Sequence, residues 1–160
     1  METIIWFAKN EKGVSQVEEY MKQMITDAKN NLAQKQLVDL VMQALEYLGE
    51  WGIPYSQNEF FVADLNNNSL YSIKLVKELK DHPPLLEFRV NWRGAGAFRA
   101  VFFEYRQDMT QILIFVEAIV KESTFSLQFE EMVLRCEQYY DAFMKSPEKY
   151  IILKGDEEVE

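Results

Sequence analysis

Residues 97–105 and 109–120 are apolar at both alternating sets of positions, and this double-sided pattern constrains the fold more than any other feature of the chain. Phe98, Ala100 and Phe102 alternate with Val101, Phe103 and Tyr105, while Ile112, Ile114 and Val116 alternate with Leu113, Phe115 and Ile119. Successive side chains of a strand point to opposite faces, so strands of this kind need cover on both sides. A third strand-like run, Leu85 to Trp92, precedes them. The turns Arg93-Gly94-Ala95-Gly96 and Arg106-Gln107-Asp108 join the three runs closely enough for an antiparallel meander.

The cover is legible on either side of the meander. Val17, Tyr20, Met21, Met24, Ile25 and Ala28 recur at helical spacing behind Ser15-Gln16-Val17-Glu18, which has the form of a capping box. Lys29-Asn30-Asn31 interrupts that helix, and Leu37, Leu40, Val41, Ala44, Leu45 and Leu48 then mark a second one. Gly52 is placed for a left-handed cap and Pro54 cannot continue the helix. Two amphipathic helices with a short connection predict an antiparallel hairpin laid on one sheet face. On the other face the pattern predicts a helix carrying Phe125, Phe129, Met132, Val133, Cys136, Tyr139, Tyr140 and Phe143, with Pro147 just beyond its end.

The rest of the chain gives weaker signals. Residues 3–8 read as a short strand. Residues 55–68 read as irregular, with a turn at Asn66-Asn67-Asn68, and Ser69 as the cap of a short helix through Leu70, Ile73, Val76 and Leu79. Tyr150-Ile151-Ile152-Leu153 reads as a small extra strand. The expected class is therefore α+β: an N-terminal strand, an antiparallel helix hairpin, a three- to four-stranded antiparallel sheet and an added C-terminal helix. We expect one domain over residues 1–154, with the helical extension at about 125–146, and an acidic, disordered tail at 155–160.

Composition removes several functions. One cysteine (Cys136) and one histidine (His82) exclude an intramolecular disulfide and almost exclude a Cys/His metal site, and no Gly-rich phosphate loop points to a cofactor, so no metal or cofactor is expected. Cys136 reads as a small buried hydrophobe and His82 as a loop residue without a nucleophile beside it. No apolar run approaches the roughly 18 residues of a membrane span, and the start lacks a signal-peptide pattern, so a cytoplasmic protein is expected. The net charge of −9 argues against indiscriminate nucleic-acid binding. The average hides an asymmetry: residues 74–121 hold eight Lys/Arg against six acids, leaving −11 for the remainder.

Four segments resemble the RelE superfamily of toxin–antitoxin toxins, nearest its HigB-like, phage-associated branch. They are Val17-Glu18-Glu19-Tyr20-Met21, Ala44-Leu45-Glu46-Tyr47-Leu48-Gly49-Glu50-Trp51-Gly52-Ile53-Pro54, Leu85-Leu86-Glu87-Phe88-Arg89-Val90, and Ala97-Phe98-Arg99-Ala100-Val101-Phe102-Phe103. The last two resemble the family's "L-x-E-L-R" and "Y-R-I/V-x-Y/F" strands. Residues 112–121 stand where the family has an apolar strand ending in "F-x-K-K", and the likeness covers roughly residues 4–122. The resemblance implies a ribosome-dependent mRNA endoribonuclease (an mRNA interferase), neutralised by a cognate antitoxin, with the ribosome and mRNA as further partners, no membrane and no metal. It also implies that Arg89, Arg99 and Lys121 are catalytic cations that offset charge on a pentavalent phosphate.

Arg93 adds an RNA- or phosphate-facing candidate by its own chemistry, because a guanidinium forks onto phosphate oxygens. The sequence departs from the family pattern at Glu122, in the inserted residues 56–82, in the extra C-terminal helix and in its acidic balance. Pairing with Glu87 and Glu104 would account for Arg89 and Arg99 as well as chemistry would, and Lys121 could be a solvated strand end. The alternative expectation is a catalytically inactive toxin fold of phage or mobile-element origin that binds a basic host protein.

Overall fold

The computed structural model describes residues 1–65 and 69–151. The chain runs β1 (Glu2–Phe7), α1 (Gln16–Asp27), a 3-10 turn (Ala28–Asn30), α2 (Leu32–Trp51), α3 (Tyr55–Asn58), β2 (Phe61–Leu65), β3 (Ser69–Ile73) and β4 (Val76–Glu78). It continues with β5 (Leu86–Trp92), β6 (Gly96–Gln107), β7 (Thr110–Lys121), α4 (Leu127–Lys145) and a closing 3-10 turn (Pro147–Lys149).

The main sheet has five strands in the order β1-β7-β6-β5-β4. The expected meander is its antiparallel part, β5 to β7, extended by β4. The sheet is mixed rather than antiparallel throughout, because β1 adds parallel to β7, Glu2 to Phe7 against Thr110 to Phe115. The α1–α2 pair covers one face through Leu37, Leu40, Val41, Ala44 and Leu48, packed on Phe88, Val90, Phe98, Ala100, Phe102, Leu113 and Phe115. The other face belongs to α4, whose Phe129, Met132, Val133, Cys136 and Phe143 meet Val101, Phe103, Ile112, Ile114 and Val116. The double-sided pattern of β6 and β7 is thus satisfied by two separate cores.

Local chemistry sets the helix ends. Ser15 Oγ accepts from Glu18 N, Asn31 Oδ1 from Gln34 N and Ser126 Oγ from Phe129 N, so all three long helices carry a side-chain N-cap. Gly52 ends α2 at φ +65°, and a Cβ there would lie 2.5 Å from both Gln111 Oε1 and Thr3 Oγ1. The space is taken by a buried clamp. The Gln111 amide accepts from Ile53 N and donates to Ile53 O (both 2.9 Å) and to Glu104 Oε2, tying the end of α2 to β7.

Past the end of β1 the edge of β7 is closed by side chains of α1. The Gln16 amide exchanges two hydrogen bonds with the Ala118 backbone (2.7 and 2.9 Å), and the Tyr20 hydroxyl accepts from Val120 N at 2.8 Å. Gln16 takes the place of a strand partner there, which blunts an edge that could otherwise pair with another chain.

Two readings are corrected. Ser69 to Leu79 is not a helix: β3 pairs with β2, Phe61 opposite Ile73, and β4 joins the main sheet. Tyr71 and Ile73 pack inward while Leu70 and Ser72 stay exposed, a period of two. A helix that short is marginal by itself, and strand pairing satisfies the same backbone while burying Leu75 and Val76. Residues 55–65 are correspondingly ordered as α3 and β2 rather than irregular. At the other end of the chain, Tyr150 closes the 3-10 turn and Ile151 is buried. The Asn66-Asn67-Asn68 turn, residues 152–153 of the expected last strand and the acidic tail lie outside the described residues.

Candidate functional site: a cationic cleft at one end of the sheet

Strand register brings the predicted cations to one end of one sheet face. Arg89 on β5 is the direct cross-strand partner of Arg99 on β6, and Lys121 stands opposite Ala97 in the β6–β7 pairing. Phe88, Val90, Phe98 and Ala100 face the α1–α2 layer, so Arg89 and Arg99 point to the α4 side. Lys121 reaches the same side only because β7 carries a bulge. Val101 pairs with Glu117 and Phe102 with Phe115, leaving Val116 as an extra residue. The insertion reverses the alternation, so Ala118 and Val120 join the α1–α2 core while Ile119 packs with the α4 side and Lys121 follows it. Ile119 therefore falls in the set of Ile112 and Ile114, not in that of Leu113 and Phe115 as its position in the sequence suggests.

The aromatic C-terminal helix leaves this end open. It lies over β7 and the later part of β6, where Phe103 meets Tyr140 at 4.9 Å and Phe143 at 5.2 Å. Beyond its first turn an open cleft of about 740 Å³ is lined by Asn91, Arg93, Ala97, Arg99, Lys121, Glu122, Ser123 and Thr124, together with Trp92 and the turn Gly94–Gly96. Three of the four predicted residues, Arg93, Arg99 and Lys121, meet here. Arg89 does not line the cleft; its Nε donates to Lys74 O at 3.0 Å.

Each cation is held differently. Arg99 is the most constrained, with a side chain 12% exposed whose Nη1 donates to Asn91 Oδ1 (2.8 Å) and to Phe98 O (2.9 Å). Its Nε lies 3.6 Å from Glu87 Oε1, itself 11% exposed. Burial lowers the Arg99 pKa, Glu87 opposes that shift and Arg89 adds to it. Two arginines facing each other across strands repel, and one carboxylate offsets only one of the two charges. Lys121 Nζ sits over the Phe129 ring, 4.8 Å from its centroid, a cation–π contact with the first turn of α4. Arg93 is exposed in the hairpin turn. Among the described residues Arg89, Arg93 and Lys121 form no salt bridge.

The turn depends on Gly96. It adopts φ +116°, and a Cβ would lie 2.7 Å from Val120 Cγ1 and 3.0 Å from Lys121 O, so only glycine lets the hairpin approach the end of β7 this closely. Two tyrosine hydroxyls brace the same end: Tyr71 accepts from Asn91 N at 3.0 Å, and Tyr20 from Val120 N. Trp92 Nε1 donates to Gln36 Oε1 on α2 at 3.0 Å.

Glu122, which the sequence marked only as a departure from a pattern, contributes the one carboxylate among the residues lining the cleft, and Asn91 orients Arg99. Neither has a sequence signal of its own; both are located by register.

The remaining candidates are structural. Cys136 is fully buried, and burial pushes its thiol pKa well up. His82 Nδ1 lies 2.9 Å from Glu137 Oε1 of α4, out of hydrogen-bonding line. Tyr139 packs against Tyr150 and Phe143, and burial raises its pKa to about 12. Among the described residues no group of three or more His, Cys, Asp or Glu is placed to hold a metal ion, and no helix is long and apolar enough to cross a membrane.

No protein-family model matches the chain, and no curated protein matches it.

Proposed function

We propose that the chain is a RelE/HigB-type toxin that cleaves mRNA on the ribosome at the cleft bordered by Arg93, Arg99 and Lys121, and that a cognate antitoxin restrains it by covering this end of the sheet. On this reading α1 and α2 are the family's antiparallel helix hairpin and β5 to β7 its meander, while the β2–β3 hairpin and α4 are additions. The observation that carries the reading is an open cleft in which Arg93, Arg99 and Lys121 outnumber Glu122, beside the Arg89–Arg99 pair and clear of the helix that covers β7 and the later part of β6.

The residues suit cleavage by the RNA's own 2′-hydroxyl. Its oxygen bonds to the adjacent phosphorus as the bond to the 5′-oxygen breaks. Glu122 takes the hydroxyl proton, and water protonates the departing oxygen. Arg99 and Arg93 meet the phosphoryl oxygens as charge builds on them, and Lys121 adds a further positive charge. The products are a 2′,3′-cyclic phosphate and a 5′-hydroxyl end. Induced expression of the wild-type chain should arrest growth and protein synthesis, and Arg93→Ala with Lys121→Ala should relieve the arrest. Growth unaffected by the folded wild-type chain would count against the proposal.

A second reading has an observation of its own. Arg99 is engaged by Glu87, Asn91 and Phe98 O, and Lys121 by Phe129, so both cations already have internal partners. An inactive toxin fold serving as a protein-binding module would keep them for structure alone. In that case Arg93→Ala would change neither growth nor RNA binding.

A further inference from the structure

The opposite kind of surface lies at the end of α2. Trp51 and Tyr55 stack at 4.9 Å with an interplanar angle of 24°, yet remain 51% and 41% exposed. Tyr47 extends the group, 6.4 Å from Trp51 and 6.3 Å from Tyr55, and rests on Phe61 at 5.3 Å. Tyr47 and Trp51 are four residues apart and form an aromatic ridge along the helix. Glu46 and Glu50, also four apart and exposed, form an acidic ridge beside it. Glu59 follows from the end of α3, close enough to help raise the Tyr47 pKa, behind burial and Tyr55.

Three features favour a positive charge here. Like charges four residues apart on a helix repel. The C-terminal end of a helix carries the negative end of its dipole, and the last turn of α2 has no basic residue. The faces of Trp and Tyr attract cations, most strongly where the cation loses part of its water. The chain supplies no such charge locally: residues 36–73 contain five acidic residues and no Lys, Arg or His. Among the described residues Glu46, Glu50 and Glu59 form no salt bridge. Elsewhere on the surface the exposed Phe60 ring carries Lys74 Nζ at 5.4 Å, an instance of the same attraction within this chain.

We infer that the Tyr47–Trp51–Tyr55 ridge with Glu46, Glu50 and Glu59 is a docking surface for a Lys- or Arg-bearing segment of a partner protein. Nucleic acid is repelled by the same carboxylates, and a second copy docking by this same surface would bring acid onto acid. The stack is open on one side and does not enclose a ligand, so the cation must be held in place by the rest of a polypeptide, whose apolar side chains cover the exposed ring faces. This surface is separate from the cleft and independent of any nuclease activity there.

The test uses the full chain titrated with a synthetic hexapeptide of alternating arginine and leucine, and with its glutamate–leucine counterpart. Binding is followed by calorimetry. The arginine peptide is expected to bind and the glutamate peptide not to. Trp51→Ala, and separately the triple change Glu46→Gln, Glu50→Gln, Glu59→Gln, should each weaken binding about tenfold, while thermal unfolding confirms that each variant is folded. Tyr55→Ala provides a second aromatic deletion if Trp51→Ala fails to fold. No binding of the arginine peptide overturns the inference. So does a loss caused by the triple change alone with the aromatic variants unaffected, which would mean general charge attraction without a docking surface.

Discussion

The two ends of the molecule treat charge in opposite ways. At the cleft, a carboxylate and two arginines are drawn into the sheet, with Glu87 and Arg99 little exposed and held in register by β5 and β6. At the end of α2, three carboxylates stand in solvent beside exposed aromatic rings with no internal partner among the described residues. Both ends are nevertheless built around a positive-φ glycine that admits close contact with β7 or its clamp, Gly96 at the cleft and Gly52 at the helix end. The difference teaches that net charge describes this chain poorly. A total of −9 is compatible with a locally cationic cleft because the charges are unevenly spread: residues 36–73 hold five acids and no cation, and residues 122–160 hold ten acids.

The sharpest way to break the comparison is to remove one carboxylate from each end. Glu87→Gln leaves the little-exposed Arg99 charge without its carboxylate and should cost about 3 kcal/mol in urea unfolding. Glu50→Gln removes an unfavourable charge from a helix C-terminus and should leave stability equal or slightly raised. Equal losses from the two changes would dissolve the distinction. Gly96→Ala follows, at about 2 kcal/mol, because its Cβ would press on Val120 and the Lys121 carbonyl at a φ that alanine resists; a urea midpoint unchanged from wild type would contradict the packing described for the turn.

Smaller effects sharpen the picture. If the cleft takes RNA, the dependence of log K on log salt for a short single-stranded RNA should flatten by roughly 0.7 in Arg93→Ala, one phosphate contact's worth, whereas Trp51→Ala should leave the slope alone. The least effect concerns alkaline pH. Tyr139 has its pKa raised to about 12 by burial, so its contribution is complete below the unfolded value near 10 and is lost as pH rises through the folded value. Stability should therefore fall between about pH 10 and 12, less steeply in Tyr139→Phe, as followed by urea midpoints against pH.

Much of this was legible in the sequence, and the failures have physical causes. The two-sided strands called for two layers of cover, and the helical spacings of residues 17–28, 37–48 and 125–143 supplied them, except that Phe125 precedes α4 and is exposed rather than part of its buried face. Gly52 ends α2 at positive φ, as its place before Ile53-Pro54 suggested, but with ψ −161° it does not adopt the expected left-handed helical cap. The β3–β4 segment was misread because Leu70, Ile73, Val76 and Leu79 fit a helix by spacing, while pairing with β2 and β5 decides the matter through contacts distant in sequence. The bulge at Val116 left one trace, the acid Glu117 inside an apolar run. That residue turns out to face solvent-accessible Arg135 of α4, which it grips with both carboxylate oxygens. Without the bulge Lys121 would point into the α1–α2 layer, so the composition of the cleft depends on a register shift that no periodicity announces. The places of Glu122 and Asn91 in the cleft were hidden for a related reason: their importance lies in what the fold sets beside them.

The most direct test of the cleft as the working site is primer extension on an mRNA in a translating extract supplied with the purified chain. Wild-type protein should introduce cuts that leave 5′-hydroxyl ends, and Arg93→Ala with Lys121→Ala, folded as judged by thermal unfolding, should remove them. An mRNA left intact by the wild-type chain, or cut equally by the variant, would contradict the assignment.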